Sequence, residues 1–174
     1  MENLSYPIGK LQLRETLTDE DRAAMIARFE LAPDQLRRSV DGLTDTQLDT
    51  PYRPGGWTIR QVCHHLPDSH SNGYIRTKLT LTEQSPIIKP YDEDAWANLE
   101  DAQASIALPL LHLDAVQQRW AAVWKTVEGD QWQRTYVHPE YKTHYSLDFA
   151  LQLYTWHGMH HVAHITSLKQ RQGW

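Results

Sequence analysis

The chain has 174 residues, 40% hydrophobic and 22% charged, and carries a net charge of −5 with its histidines neutral. That length fits a single domain over residues 1–174 with a buried core, no apolar run nears the roughly 20 residues of a membrane span, and the acidic balance argues against a nucleic-acid binder. Residues 1–10 lack the basic and apolar regions of a secretory leader, so the expected location is the cytoplasm, and the lone cysteine, Cys63, rules out an internal disulfide.

Residues 1–17 read as an extended arm carrying Leu11 and Leu13. Thr18 can cap a first helix, and Asp19, Glu20 and Asp21 suit the positive end of its dipole. Ile26, Phe29, Leu36 and Val40 recur at helical spacing. Pro33 is placed to kink or split that run, and Gly42 suits its end. The stretch TPYRPGG, Thr50 to Gly56, reads as a loop. Thr58 with Gln61 forms a capping box, followed by Ile59, Val62 and Leu66 on one face. Pro67 is expected to bend the chain just after His65 before the helix resumes through Tyr74 and Leu79.

Residues 84–91 read as a second loop, with a short helix near 93–101. A longer helix is expected from Leu108 to Val127, with Pro109 allowed in its first turn and a stripe of Leu110, Leu113, Val116, Trp120, Val123 and Val127. Residues 134–145 suggest a small hairpin. Ser146 caps a last helix that runs to about Lys169. Four long helices with no strand–helix alternation predict an all-α, up-and-down-type four-helix bundle with short extra helices.

Ten histidines stand out, and four of them fall between residues 157 and 164. Residues four apart on a helix differ by about 40° in azimuth and about 6 Å in height, so a pair of histidines at that spacing can reach one ion. WHGMHHVAHI offers His157 with His161, and His160 with His164. The inward stripe of Ala150, Leu153 and Tyr154 continues through His157 and His161, which makes these the preferred pair. His160 falls to one side, on the line of Trp156 and Ala163. A third ligand should come from another helix. His65, beside Val62 and Leu66, is preferred, with His64 the alternative.

Three neutral imidazoles leave coordination positions open, as a catalytic metal site requires, whereas His160 or His164 as a fourth ligand would make it a closed, structural one. Asp68, three residues after His65, is a candidate catalytic residue that orients a ligand or a bound water. Arg53, Arg60 and Arg76 are candidates for holding a substrate carboxylate. Tyr52, Trp57, Tyr74, Tyr91 and Trp156 are candidates for a pocket wall, though core packing explains them as well. Cys63 reads as a small buried hydrophobe. His138 and His144 are assigned no role. No separate organic cofactor site is indicated.

The ordered stretches NLSYPIGK, LDTPYRPGGWTIRQVCHHLPDSH, YIRTKL, PYDEDAW, LYTWHGMHHVAHI and QGW span nearly the whole chain. Together they resemble the DinB/YfiT-like family of small four-helix metal proteins, and within it the YfiT branch of metal-dependent hydrolases linked to bacillithiol S-transferases. The resemblance implies His65, His157 and His161 as ligands of one zinc or nickel ion, and a cytoplasmic homodimer. Pro67 stands where that family commonly has alanine.

A three-histidine ion with open positions suits two chemistries. A small bacillithiol-type thiol can bind as thiolate and attack an electrophilic substrate, or an activated water can hydrolyse one. The resemblance tilts the expectation toward thiol S-transfer, with hydrolysis the alternative and a non-catalytic metal-binding, stress-response bundle the third reading.

Overall fold

A computed structural model describes residues 4–174. The first three residues of the expected arm lie outside the described residues. Helix α1 spans Asp19–Phe29 and α2 spans Ala32–Val40, so Pro33 splits the first long helix rather than kinking it. The Thr18 capping box is formed with Asp21. A short α3, Asp45–Leu48, carries its own capping box from Thr44 to Gln47 and was not anticipated. Helix α4 spans Ile59–Thr82 without interruption and includes Pro67. The proline removes only the N–H that would reach the Cys63 carbonyl. The neighbouring turns, packed on both sides, keep the helix going.

The expected short helix is two pieces, α5 over Glu93–Ala97 and a 3-10 turn over Glu100–Gln103. Helix α6 spans Ala107–Trp124, and α7, capped by Ser146, spans Leu147–Gln172. Between them β1, Thr135–His138, pairs antiparallel with β2, Thr143–Ser146, in the expected hairpin.

The long helices form a four-helix bundle, but their corner order departs from a simple up-and-down walk. The split helix α1/α2 packs on α6 and α7, and α4 also packs on α6 and α7. The first two long helices therefore occupy opposite corners. The long connections 41–58 and 83–106, with short helices of their own, supply the reach to cross. As a result α4 and α7, the two histidine-bearing helices, are direct neighbours.

Two apolar clusters hold the bundle. One gathers Phe29, Trp120, Trp124, Leu147, Leu151 and Tyr154. The other gathers Leu36, Ile59, Val62, Leu66, Leu113 and Ile165. Each fully buried Leu, Ile or Phe contributes roughly 1.5–3 kcal/mol. The arm lies along α7: the Arg14 amide donates to Gln152 Oε1 at 2.8 Å, and Trp156 Nε1 donates to the Gly9 carbonyl at 3.3 Å. Arg22 forks onto the buried Asp148 with two 2.8 Å bonds, tying α1 to the start of α7.

Gly73 on α4 makes room for aromatic rings of α6 and α7. A Cβ built there would overlap the rings of Trp120 and Tyr154. Gly73→Ala is therefore expected to cost about 1–3 kcal/mol through overpacking, despite the better helix propensity of alanine. A urea midpoint equal to wild type would contradict this packing.

Candidate metal centre

Helix α4 presents His65 and α7 presents His157 and His161 to the seam between them. One ring nitrogen from each of the three lies within 4.8 Å of the others. His65 Nε2 and His157 Nε2 stand 3.3 Å apart. Nitrogens held at about 2.0–2.1 Å from a tetrahedral ion are separated by about 3.3–3.4 Å, so the His65–His157 pair is spaced as two ligands of one cation are, with a His161 nitrogen within reach.

The electrostatics agree with that fit. Burial first, then repulsion from His157 and His70, pushes His65 well below the usual histidine range. Burial does the same to His161, aided by repulsion from His157, His65, His160 and His164. His157 is pushed down to about 4 by burial and then by His164. The rings therefore stay neutral at pH 7 and keep the lone pairs a metal needs. The donor set, three imidazoles with no carboxylate among the described residues, suits a divalent transition metal such as zinc, copper, iron or nickel.

The cluster opens on one side. A cavity of about 350 Å³ is lined by His65 and His161 together with Tyr52, Arg53, Trp57 and Asp94. Ser5 and Tyr6 of the arm, Glu93, and His160 and His164 also contribute to its wall. The Arg53 guanidinium rests against the Tyr52 hydroxyl and the Pro54 carbonyl, each at 3.3 Å, and neither offsets its charge. Gly56 allows this loop to close up, because a Cβ there would press on Arg53 and the Tyr52 ring. Trp57 covers His65 with ring centroids 4.6 Å apart, and its Nε1 donates to Asp94.

The structure leaves several other candidates out of the cluster. His64 turns away, with Nε2 3.4 Å from the Ala104 carbonyl. His164 Nε2 faces the Ser5 carbonyl, and its ring stacks on Tyr52. His160 is buried as well, contrary to its side position on the helical wheel, because Trp156 stacks on it and Tyr6 lies near. Neither belongs to the convergent group found among the described residues.

Asp68 does not reach the three histidines. Its neighbours are Asp101 and His112, and its carboxyl is pushed up mainly by burial. Arg60 is no substrate anchor, because its buried guanidinium is consumed by bonds to the more exposed Asp49 at 2.6 Å and Asp45 at 2.8 Å. Arg76 reaches toward the Tyr154 hydroxyl and the Lys89 carbonyl instead of the cavity. Cys63 is fully buried and its thiol is pushed up to about 12 by burial, which removes it as a nucleophile.

Residues 28–165 match the family model described as the DinB superfamily. The chain belongs to the DinB superfamily. It is 49% identical, over 99% of its length and 97% of the relative's, to the protein named "Putative metal-dependent hydrolase YfiT" of Bacillus subtilis. A Bacillus cereus protein of the same description is 45% identical over the whole of both chains. The solved structure of YfiT from Bacillus subtilis superposes with a TM-score of 0.97 over 99% of each chain. It is described as "a probable metal-dependent hydrolase with an unusual four-helix bundle topology", in keeping with the corner order of this DinB superfamily member.

His70 and Gln117 are site neighbours that the sequence did not reveal. His70 Nε2 lies 3.3 Å from His157 Nδ1, on the side of that ring away from His65. His70 stands five residues from His65, about 140° round the helix, so no spacing rule links the two.

Proposed function

We propose that this chain is a metal-dependent hydrolase in which His65, His157 and His161 hold one divalent ion, zinc or nickel. The observation that carries the reading is the convergence of three neutral imidazoles on a seam that opens into a cavity. A closed structural site would show four protein ligands, whereas a catalytic site keeps a position free. When bound, such an ion supplies Lewis acidity and lowers the pKa of a water in its open position to about 7.

The chain's own residues shape what reaches that position. Trp57 and the buried rings beside it limit water around His65. Arg53, which forms no ion pair among the described residues, is suited to orient an anionic part of the substrate. Asp94 is held by the Trp57 indole N–H, which keeps a carboxylate at the cavity rim.

Thiol S-transfer is the second reading. A metal in this site would also deprotonate a coordinated thiol, and with Cys63 buried the thiol would have to come with the substrate. Hydrolysis stands first because it is the activity named for relatives that share the full chain.

One experiment separates the readings. Zinc- and nickel-loaded protein is assayed on an ester and amide panel without thiol, and on a haloalkyl dye with a low-molecular-weight thiol. The expected result is thiol-independent hydrolysis that chelation and His65→Ala both abolish. Metal-dependent conjugation without any hydrolysis would establish the transferase instead. Stoichiometric metal with neither activity would leave a non-catalytic metal-binding bundle.

A further inference from the structure

The ring of His157 is held from behind by a path that crosses all four corners of the bundle. It begins at Phe29, the last residue of α1. A helical carbonyl accepts from the N–H four residues on, which here is Pro33 and has no N–H. The freed Phe29 carbonyl accepts from Gln117 Nε2 on α6 instead. A carbonyl can only accept, so it fixes which end of the Gln117 amide faces it and leaves Oε1 on the other side.

Gln117 Oε1 and His70 Nδ1 are both buried without a formed bond. They belong to neighbouring side chains, and contact with Gln117 is what works against the burial that lowers the His70 pKa. Their geometry stops short of a full hydrogen bond, yet an amide oxygen facing that nitrogen favours a proton on it. A neutral imidazole with its proton on Nδ1 offers a lone pair at Nε2. His70 Nε2 is the atom 3.3 Å from His157 Nδ1. His157 Nδ1 must then donate, which leaves the lone pair of its Nε2 pointing at His65 and the convergence point.

The box around His70 gives it no freedom to do otherwise. Phe29 stacks on the ring at 5.7 Å, and the Trp120 and Tyr154 rings meet it edge-on at 5.8 and 5.5 Å. The ring is fully buried. Gly158, on α7, lets α2 come close to this box, since a Cβ there would lie 2.9 Å from the Ala32 Cβ and in ordinary contact with His70.

We propose that His70, oriented by Gln117 and the Pro33-freed carbonyl of Phe29, is a positioning residue that sets the tautomer and aim of His157. Its consequence for metal affinity rests on the metal-binding reading above; its consequence for the tautomer does not. Outer partners of metal-ligating histidines typically matter by 10–100-fold in affinity.

The test uses the full chain with nitrogen-15 histidine. In the metal-free wild type, ring nitrogen shifts should show His157 protonated at Nδ1, and in Gln117→Leu the ring should become a mixture of tautomers. By chelator competition, His70→Phe should bind zinc 10–100-fold more weakly, and His70→Gln, which keeps an acceptor near the Nε2 position, should recover most of that loss. Circular dichroism of the metal-free variants checks folding. If His70→Phe does not fold, the wild-type and Gln117→Leu spectra decide. A His157 ring protonated at Nε2 in the metal-free wild type, or wild-type zinc affinity in folded His70→Phe, would overturn the proposal. A wild type that binds no zinc would defeat the metal reading alone, and the tautomer would still test this one.

Discussion

Replacing His65, His157 or His161 singly with alanine is expected to lower zinc or nickel affinity by more than a hundredfold and to leave well under one ion per chain after dialysis. The size follows from binding energetics. Structural zinc sites bind with roughly 10–16 kcal/mol over four ligands, so one ligand carries about 3 kcal/mol, or more than two decades. The three rings have few substitutes, because the convergent group holds no carboxylate or thiol. His160→Ala and His164→Ala should keep the ion, since His164 faces the Ser5 carbonyl and His160 packs under Trp156. His138→Ala, on the hairpin, serves as a remote control. Elemental analysis and chelator competition read the outcome. Full occupancy in all three ligand variants would remove the site, and loss in His160→Ala equal to that in His157→Ala would widen it.

Much of this centre is legible in the sequence because helical periodicity is local. His157 and His161 fall on the stripe that buries Ala150, Tyr154, Ile165 and Leu168, so one helix-wide pattern places two of the three rings. His65 follows a capping box that fixes where α4 starts and therefore which face Val62 and Leu66 turn inward. What escaped the sequence is long-range. The corner order depends on two long connections, and no local pattern encodes which helix they reach. His160 looks peripheral on a wheel because the wheel omits the arm, which brings Ser5 and Tyr6 across that face. Arg60 looked free because Asp45 begins, and Asp49 caps, a short helix that the pattern did not show. His70 carries no spacing signal toward His65, and its partner Gln117 lies on another helix altogether. Pro33 was visible as a helix breaker, but the carbonyl it frees has meaning only once α6 is packed beside it.

The metal-free protein is expected to unfold cooperatively in mild acid, with a midpoint near about pH 5. His65, His70, His157 and His161 are the principal cause. Burial, reinforced by mutual repulsion, holds all four below the ordinary histidine value. The unfolded chain takes up protons at these sites as pH drops below about 6.5, while the folded chain refuses them until far lower. Stability contributed by the neutral rings is thus complete above about pH 6.5 and is lost as pH falls toward the folded values, about 4 for His157. Each refused proton costs about 1.4 kcal/mol per pH unit, so four remove at most about 5 kcal/mol per unit. A domain holds only roughly 5–15 kcal/mol, which is exhausted within one to three units. His160 and His164, lowered to about 3 and about 4 mainly by burial, act in the same direction with more solvent screening. Asp68 and Glu93 act the opposite way, because burial raises their carboxyl pKa values and makes the folded state bind protons more readily. These are two carboxyls, Asp68 partly exposed and Glu93 exposed, against four enclosed rings, so destabilisation wins. Bound zinc should shift the transition to lower pH in proportion to its free concentration, since it binds the folded state and competes with the same protons. Tryptophan fluorescence and circular dichroism followed from pH 8 to pH 4, with and without zinc, read both effects. A metal-free protein still folded at pH 4, or a transition that takes up fewer than about two protons, would show that the rings are not held neutral by the fold.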